Sequence, residues 1–226
     1  MRGLMKRITT AAWVSIVSLS VVVAGCTPRT EVASTMTTQV TPTVWVGRPD
    51  PGAPTLSQYI VDNKIAEVRF KPGEPGTPKI SFPFPPDWKN AGDRTPDWAY
   101  GAIVYDKAQN PENPPYIVAI ASKLTGDVDP AKILEYAPGQ LNKLPDFKPL
   151  HKPEEDSLSG FAAIDYVGTY VRGGQPRVVG QQTIVVPGNE SLFVLQLNAD
   201  APQAEKQSVI DAAKFIAEHT KISAPS

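Results

Sequence analysis

The chain has a single cysteine, and the residues before it limit how the mature protein can fold. Cys26 follows the small residues Ala24 and Gly25, at the end of an uncharged and largely apolar stretch that starts at Ile8 and comes after three basic residues. Such a segment is typical of a secretory signal peptide. A cysteine directly after the cut is typical of the bacterial lipobox, in which the thiol receives diacylglycerol and cleavage leaves a lipidated N-terminus. The alternatives are a plain signal peptide or a transmembrane anchor, but three serines interrupt the stretch, which is marginal against the roughly 20 apolar residues of a membrane span.

Removal of residues 1–25 leaves an exported chain whose stability must come from an apolar core. With Cys26 lipidated, no cysteine remains for a disulfide, although the oxidising exterior would permit one. About 200 residues suffice for one such core. The signal peptide holds three of the 22 basic residues and none of the 23 acidic ones, so the mature chain has a net charge of −4. No basic patch is present, and nucleic acid is therefore not an expected partner.

Residues 26–54 are predicted to be the lipidated cysteine and a disordered tether. The segment 27–54 has seven threonines, five prolines, few charges and almost no apolar periodicity, a composition that does not bury a core. Its 28 residues would span roughly 30 Å as a coil, or at most about 90 Å when extended. We therefore expect a domain held at the extracytoplasmic side of the cell membrane by its lipid.

Residues 55–226 are predicted to form a single α+β domain, an antiparallel sheet with segregated helices. Thr55 is the expected N-cap of a first helix, and Asp129 caps a second that Pro138–Gly139 divides into two short helices or kinks sharply. A last helix is predicted to begin at 200–202. The predicted strands are Ala99–Tyr105, Tyr116–Ser122, Gly160–Val171, Arg177–Val186 and Leu192–Leu197. The first two are predicted to pair as a hairpin and the last three as a meander.

Groups suited to catalysis are few. His151 is predicted to lie in a surface loop, and His219 near the end of the last helix, where the helix dipole favours a cation. Two histidines and one cysteine do not make a His/Cys zinc site in the exported domain. The acids at 154–156 are predicted to lie in a solvated loop, and neither a G-x-S-x-G nor a G-x-G-x-x-G motif is present. The sequence therefore predicts neither an enzyme nor a cofactor.

Six aromatic residues lie within 24 positions and alternate with prolines. They are Phe82, Phe84, Trp88, Trp98, Tyr100 and Tyr105. Such a cluster can line an apolar groove or a sugar-binding face, or it can pack in the core. Core packing is favoured for the cluster as a whole. Trp88 and Trp98 flank a polar loop and are predicted to be the exposed pair, and together with Tyr100 they are the candidate ligand-binding residues.

Several runs of residues resemble the mycobacterial LpqN/LpqT lipoprotein family, most closely its LpqN members. Besides the lipobox and the tether, they are Leu56–Ile60, Pro85–Trp88, the particularly specific run Ser122–Lys132, and Leu195–Asp200. The resemblance covers essentially the whole mature domain. It implies a fold similar to that of PsbP and Mog1-like proteins, an antiparallel sheet with helices packed on its faces.

The resemblance also implies a non-enzymatic envelope lipoprotein. Such proteins are associated with the assembly or transport of mycolic-acid glycolipids, with membrane lipid transporters, and with host proteins when they are shed. The lipidated cysteine is the one functional residue of the family that the resemblance assigns to a position in this chain, and it corresponds to Cys26. Three hypotheses remain open: a carrier for an acylated sugar that works with a transporter, a protein–protein adaptor, and a hydrolase with an unfamiliar site.

Overall fold

The computed structural model describes residues 50–225. Cys26, the signal peptide and most of the predicted tether lie outside the described residues. Among the residues that are described, no helix is both long enough and apolar enough to cross a membrane.

Nine strands of the described part of the chain form one antiparallel sheet. The eleven strands are β1 (Ala66–Arg69), β2 (Lys79–Ser81), β3 (Trp88–Asn90), β4 (Gly101–Tyr105), β5 (Tyr116–Thr125), β6 (Lys148–Pro149), β7 (Glu154–Leu158), β8 (Phe161–Arg172), β9 (Gln175–Gly188), β10 (Ser191–Pro202) and β11 (Lys221–Ser223). The order in the large sheet is β3-β4-β5-β10-β9-β8-β6, with β1 also paired to β5 and β7 also paired to β8. Strands β2 and β11 form a separate two-stranded sheet. The predicted hairpin is β4–β5 and the predicted meander is β8–β9–β10, so both are confirmed.

Helices pack on both faces of this sheet. They are α1 (Leu56–Asp62), α2 (Pro130–Tyr136) and α3 (Lys206–His219), with 3-10 helices at Gly92–Arg94, Ala137–Lys143 and Gln203–Glu205. Successive side chains of a strand point to opposite faces. In β10, Leu192 and Val194 therefore pack with α1 and α2, whereas Ala201 packs against α3. The α+β class with helices on the sheet faces is confirmed.

The predicted helix starts have the capping geometry that their residue types suggest. The Thr55 hydroxyl accepts the backbone N–H of Gln58 at 3.2 Å, and the Asp129 carboxylate accepts that of Ala131 at 2.8 Å. Pro130 occupies the first turn of α2, where its missing N–H is not needed. Helix α2 ends at Tyr136 and a 3-10 helix follows, so the alternative of two short helices is confirmed.

The predicted start of the last helix at 200–202 is wrong. Asp200, Ala201 and Pro202 are the last residues of β10 and pair with Val179, Val178 and Arg177 of β9. The Asp200 carboxylate forms an ion pair with Arg177, whose side chain is only 1% exposed. A charged partner inside the sheet therefore fixes Asp200 in the strand, and α3 begins at Lys206.

The prediction of a loop at 154–156 is also wrong, although these three residues are exposed to solvent as expected. Glu154–Leu158 is β7, and it pairs in register with Phe161–Asp165 of β8. Only Leu158 of this strand is buried. An edge strand needs few apolar residues because one of its sides faces solvent, so its composition resembles that of a loop.

Gly168 in β8 is required by a close approach between elements. A Cβ atom there would lie 2.3 Å from Cε2 of Phe147 and 2.8 Å from the carbonyl oxygen of Lys148. We expect Gly168→Ala to lower the free energy of unfolding in urea by about 1–3 kcal/mol, since overpacking forces neighbours to move. Gly180→Ala in β9 is the matched control, because its Cβ would have only an ordinary 3.6 Å contact with Val167. Equal midpoints for the two variants would contradict this packing.

Candidate functional site

Two adjoining cavities lie between α3 and the sheet. Their volumes are about 260 Å³ and about 300 Å³. Both are lined by Ile117 of β5, Leu197 of β10 and Ile216 of α3. Since both cavities are lined by these three residues, they lie next to each other, and we refer to them as the two halves of the space beneath α3.

The first half, which we call the aromatic cavity, is lined by apolar groups. Its walls include Ile80 of β2, Phe82 and Phe84 after that strand, and Tyr100 before β4. The Tyr100 ring lies edge-on to Phe70 and Phe82, with ring centroids 5.8 and 6.3 Å apart. These edge-to-face contacts fix the position of the Tyr100 ring, and burial raises the pKa of its hydroxyl.

The second half, which we call the carboxylate cavity, has apolar walls and an acidic end. Val167, Leu197 and Ala199 supply apolar surface from the sheet. The polar lining residues come mainly from the β7–β8–β9 side of the sheet; they are His151, Glu154, Asp156, Asp165 and Gln182, with Lys214 from α3. A space with apolar walls and polar groups at one end can take an amphipathic small molecule.

The carboxylates are held close together by the register of β7, β8 and β9. Glu154 pairs directly with Asp165, which in turn pairs with Gln182. The Gln182 side-chain amide donates to Asp156 at 3.0 Å and to Asp165 at 3.4 Å. The His151 ring lies 3.6 Å from the Glu154 carboxylate. Burial raises the pKa of Asp165 from 3.8 to about 7, and the neighbouring Asp156 contributes to the rise.

The raised pKa of Asp165 makes stability depend on pH. Between pH 4 and pH 7 the folded protein binds the Asp165 proton and the unfolded chain does not, so this group's contribution to stability is lost as the pH rises. Because the side chain is partly exposed, we expect Asp165→Asn to raise the free energy of unfolding at pH 8 by only about 1 kcal/mol. At pH 4.5 the gain should be much smaller. Urea unfolding at the two pH values measures it, and a gain as large at pH 4.5 as at pH 8 would contradict the account.

The structure separates the three aromatic residues that the sequence suggested for ligand binding. Tyr100 is buried and lines the aromatic cavity. Trp98 is 44% exposed, as expected, and the guanidinium of Arg69 lies 5.6 Å from its ring centroid. Trp88 is only 7% exposed, so the prediction that it is exposed is wrong. It packs beneath α3 with residues such as Val209 and Ile216, because its pairing with Tyr105 of β4 places the ring on the face that α3 covers.

The two histidines make local contacts within their own segments of the chain. His219 lies in the last turn of α3, where its ring stacks on Phe215 with centroids 4.3 Å apart. The Nδ1–H of His151 donates a hydrogen bond to the carbonyl oxygen of Lys152 at 2.7 Å. Within residues 50–225, no three His, Cys, Asp or Glu side chains are grouped in a way that could hold a metal ion.

The acidic end of the carboxylate cavity was not predicted from the sequence, because its residues come from three separate segments of the chain. Asp156, Asp165 and Gln182 meet only through strand register. One signal was available, since side-chain direction alternates along the strand predicted over 161–167 and places Asp165 on the same side as Ala163 and Val167. That pattern indicates an acid on a face that is otherwise covered.

The family model described as Probable lipoprotein LpqN matches residues 53–223. Lipoprotein LpqN of Mycobacterium tuberculosis is 46% identical over 170 residues, which cover 74% of this chain and 73% of that protein. The chain belongs to the LpqN lipoprotein family. The resemblance seen in runs such as Ser122–Lys132 is therefore confirmed, and the relatives are named as lipoproteins rather than as enzymes.

A solved structure of the family agrees with the fold. It is the crystal structure of LpqN, described as involved in cell envelope biogenesis of Mycobacterium tuberculosis, with a TM-score of 0.72 and 45% identity over 76% of this chain and 98% of that one. A crystal structure of the Ran-binding protein Mog1p of Saccharomyces cerevisiae matches with a TM-score of 0.41 and 15% identity, over 72% of this chain and 96% of that chain. The family member supports the antiparallel α+β architecture, whereas the Mog1p similarity is too low to support an argument.

Proposed function

We propose that this protein is a non-enzymatic lipoprotein of the cell envelope that binds an acylated sugar in the space beneath α3. The observation that carries the proposal is the pair of adjoining cavities that share Ile117, Leu197 and Ile216. Their volumes of about 260 and 300 Å³ each lie near the lower end of the roughly 300–1,000 Å³ that is usual for small-molecule sites.

The walls of the aromatic cavity suit an alkyl chain. Transfer of a chain from water to these walls contributes about 0.8 kcal/mol for each buried methylene. Gly101 of β4 leaves open space at the wall, since a Cβ atom there would find no other atom within 4 Å. The strand thus provides room where a larger residue would fill the cavity.

The carboxylate cavity suits the hydroxyl groups of a sugar. Ionised carboxylates accept hydrogen bonds, and several oxygens are available on Glu154, Asp156 and Asp165. The family member LpqN is described as involved in cell envelope biogenesis. An amphipathic sugar lipid is a ligand that suits a protein with such a role. We infer the same role here, with a mycolic-acid glycolipid as the ligand class and an envelope lipid transporter as the expected partner.

The predicted lipid on Cys26 would hold the domain at the membrane that contains such lipids. The tether 27–54 would let the domain stand off the bilayer by roughly 30 Å or more. The protein would then be located on the extracytoplasmic side of the cell membrane, and part of it would be shed to the exterior.

Cys26→Ser is expected to move the protein out of the detergent phase in a phase-partition experiment, because the variant has no thiol to receive the lipid. Full retention in the detergent phase would contradict the lipidation.

Calorimetry with an alkyl glycoside tests the binding proposal. The sample is the mature chain 26–226 with Cys26→Ser, so that no acyl chain of the protein itself competes for the cavity. Dodecyl maltoside, kept below its micellar concentration, is expected to bind with one-to-one stoichiometry and a negative heat-capacity change, the marker of apolar burial. Maltose alone is expected to bind far more weakly. No saturable heat with dodecyl maltoside would overturn the proposal.

A second function, as a protein–protein adaptor, is favoured by the surface around Trp98. This residue is 44% exposed and has Arg69 stacked over its ring, and Trp and Arg are the residue types enriched at interface hot spots. The partner would be an envelope transporter or, for shed protein, a host protein. Trp98→Ala should then abolish capture of the partner and leave dodecyl maltoside binding unchanged. Unchanged capture by the variant would argue against this surface.

A further inference from the structure

We propose that the acidic end of the space beneath α3 selects the headgroup of the ligand, so that uncharged, hydroxyl-bearing headgroups are accepted and anionic headgroups are rejected. This inference rests on the proposed binding function and adds a specificity to it. The selecting residues are Glu154, Asp156 and Asp165.

These three carboxylates face the same side of the sheet. Glu154 pairs with Asp165, and Asp156 pairs with Ala163, which belongs to the apolar core on that side. Side chains of directly paired residues point to the same face of a sheet. The carboxylates are therefore directed toward α3 and line the cavity that Ile216 and Leu197 also line.

The charges around this end are predominantly negative. Strand β7 contributes Glu154 and Asp156, strand β8 contributes Asp165, and strand β9 contributes the neutral Gln182. The positive groups are Lys214 of α3 and, when it is protonated, His151. The Gln182 amide is already donating to Asp156 and Asp165, so it cannot readily turn to an incoming anion.

An anionic headgroup would bring a further negative charge into this end. Like charges in a partly desolvated site repel one another more strongly than they do in water. A sugar hydroxyl, in contrast, donates a hydrogen bond to a carboxylate. Burial raises the pKa of Asp165 to about 7, so the site carries its full negative charge above neutral pH and less of it in acid. Rejection of anions should accordingly be strongest at alkaline pH.

Two ligands with the same alkyl chain and different headgroups test the inference. The sample is again the mature chain with Cys26→Ser, and the ligands are dodecyl maltoside and dodecanesulfonate, which stays ionised at all the pH values used. At pH 8 we expect the glycoside to bind at least tenfold more tightly than the sulfonate. At pH 5.5 the ratio should be several-fold smaller.

Substitutions assign the selectivity to the carboxylates. Asp156→Asn combined with Asp165→Asn is expected to raise the affinity for dodecanesulfonate at pH 8 by at least tenfold. Glu155→Gln is the matched control for Asp156→Asn alone, since each removes one charge from an exposed position of the same strand and only Asp156 lines the cavity; it should leave the ratio unchanged. Asp165→Asn alone serves as a second variant, with a smaller gain and with stability retained at pH 8.

The outcomes separate the inference from the function on which it rests. Equal affinity of the unsubstituted protein for the two ligands at pH 8 would overturn the headgroup selection and leave the binding function standing. Binding of neither ligand would overturn the proposed function, and the inference with it. A gain in sulfonate binding from Glu155→Gln as large as that from Asp156→Asn alone would overturn the inference, because overall charge and not this site would then set the preference.

Discussion

Gly101→Phe is expected to weaken binding of dodecyl maltoside at least tenfold while the protein remains folded. Gly101 lies in β4 and lines the aromatic cavity, where an added Cβ would find no atom within 4 Å. The Cβ atom of a phenylalanine is therefore accommodated without a shift of its neighbours, and we expect its ring to extend into the cavity. Aromatic residues also suit strands better than glycine does, so the thermal midpoint should not fall. Calorimetric titration and a melting curve measure the two effects.

Gly101→Ala is the control at the same position. Its single methyl group fills little of the cavity of about 260 Å³, so binding should stay within a few-fold of the original. If Gly101→Phe binds the glycoside as tightly as Gly101→Ala does, the alkyl chain does not enter the aromatic cavity. A large loss of binding in Gly101→Ala would show instead that the strand itself had been disturbed.

Trp88→Ala is expected to lower the free energy of unfolding by about 3–5 kcal/mol, the usual cost of truncating a buried tryptophan. Trp88 is 7% exposed and packs with residues from the sheet and α3, including Val178, Val209 and Ile216. Its ring also contacts that of Tyr105 at a centroid distance of 5.7 Å. Removing it leaves a cavity between α3 and the sheet.

Trp98→Ala is the matched substitution at an exposed tryptophan. Its ring is 44% exposed, and a surface substitution of this kind changes stability by only about 0.5 kcal/mol. Urea unfolding of both variants distinguishes the two environments. Similar losses in the two variants would place Trp98 in the core as well, and a small loss for Trp88→Ala would contradict its burial.

Local signals predicted much of the fold correctly. Thr55 and Asp129 begin helices because a short polar side chain can accept the free N–H groups of the first turn, and both side chains do so. The antiparallel meander follows from apolar runs joined by short glycine-containing turns. These features depend on neighbours in sequence, and a single chain contains that information.

The features that were missed depend on residues far apart in sequence. Asp200 belongs to a strand because its carboxylate pairs with the buried Arg177, and no local pattern indicates that partner. Likewise, β7 is a polar edge strand that forms because its backbone pairs with that of β8.

The candidate site was predicted only in part for the same reason. Tyr100 was selected from its aromatic neighbours and does line the cavity. In contrast, Asp156, Asp165 and Ile216 come together only when β7, β8 and α3 are assembled on one face. The burial of Trp88 and the exposure of Trp98 also depend on tertiary packing, since both residues lie beside polar residues in sequence.

The position of a bound alkyl chain tests the central claim most directly. In the mature chain with Cys26→Ser, nuclear Overhauser effects can be measured between the methylenes of dodecyl maltoside and the methyl groups of the protein. We predict contacts to Ile117, Leu197 and Ile216, which line both cavities. Contacts confined to exposed residues such as Val61 and Leu150, with none beneath α3, would contradict the account.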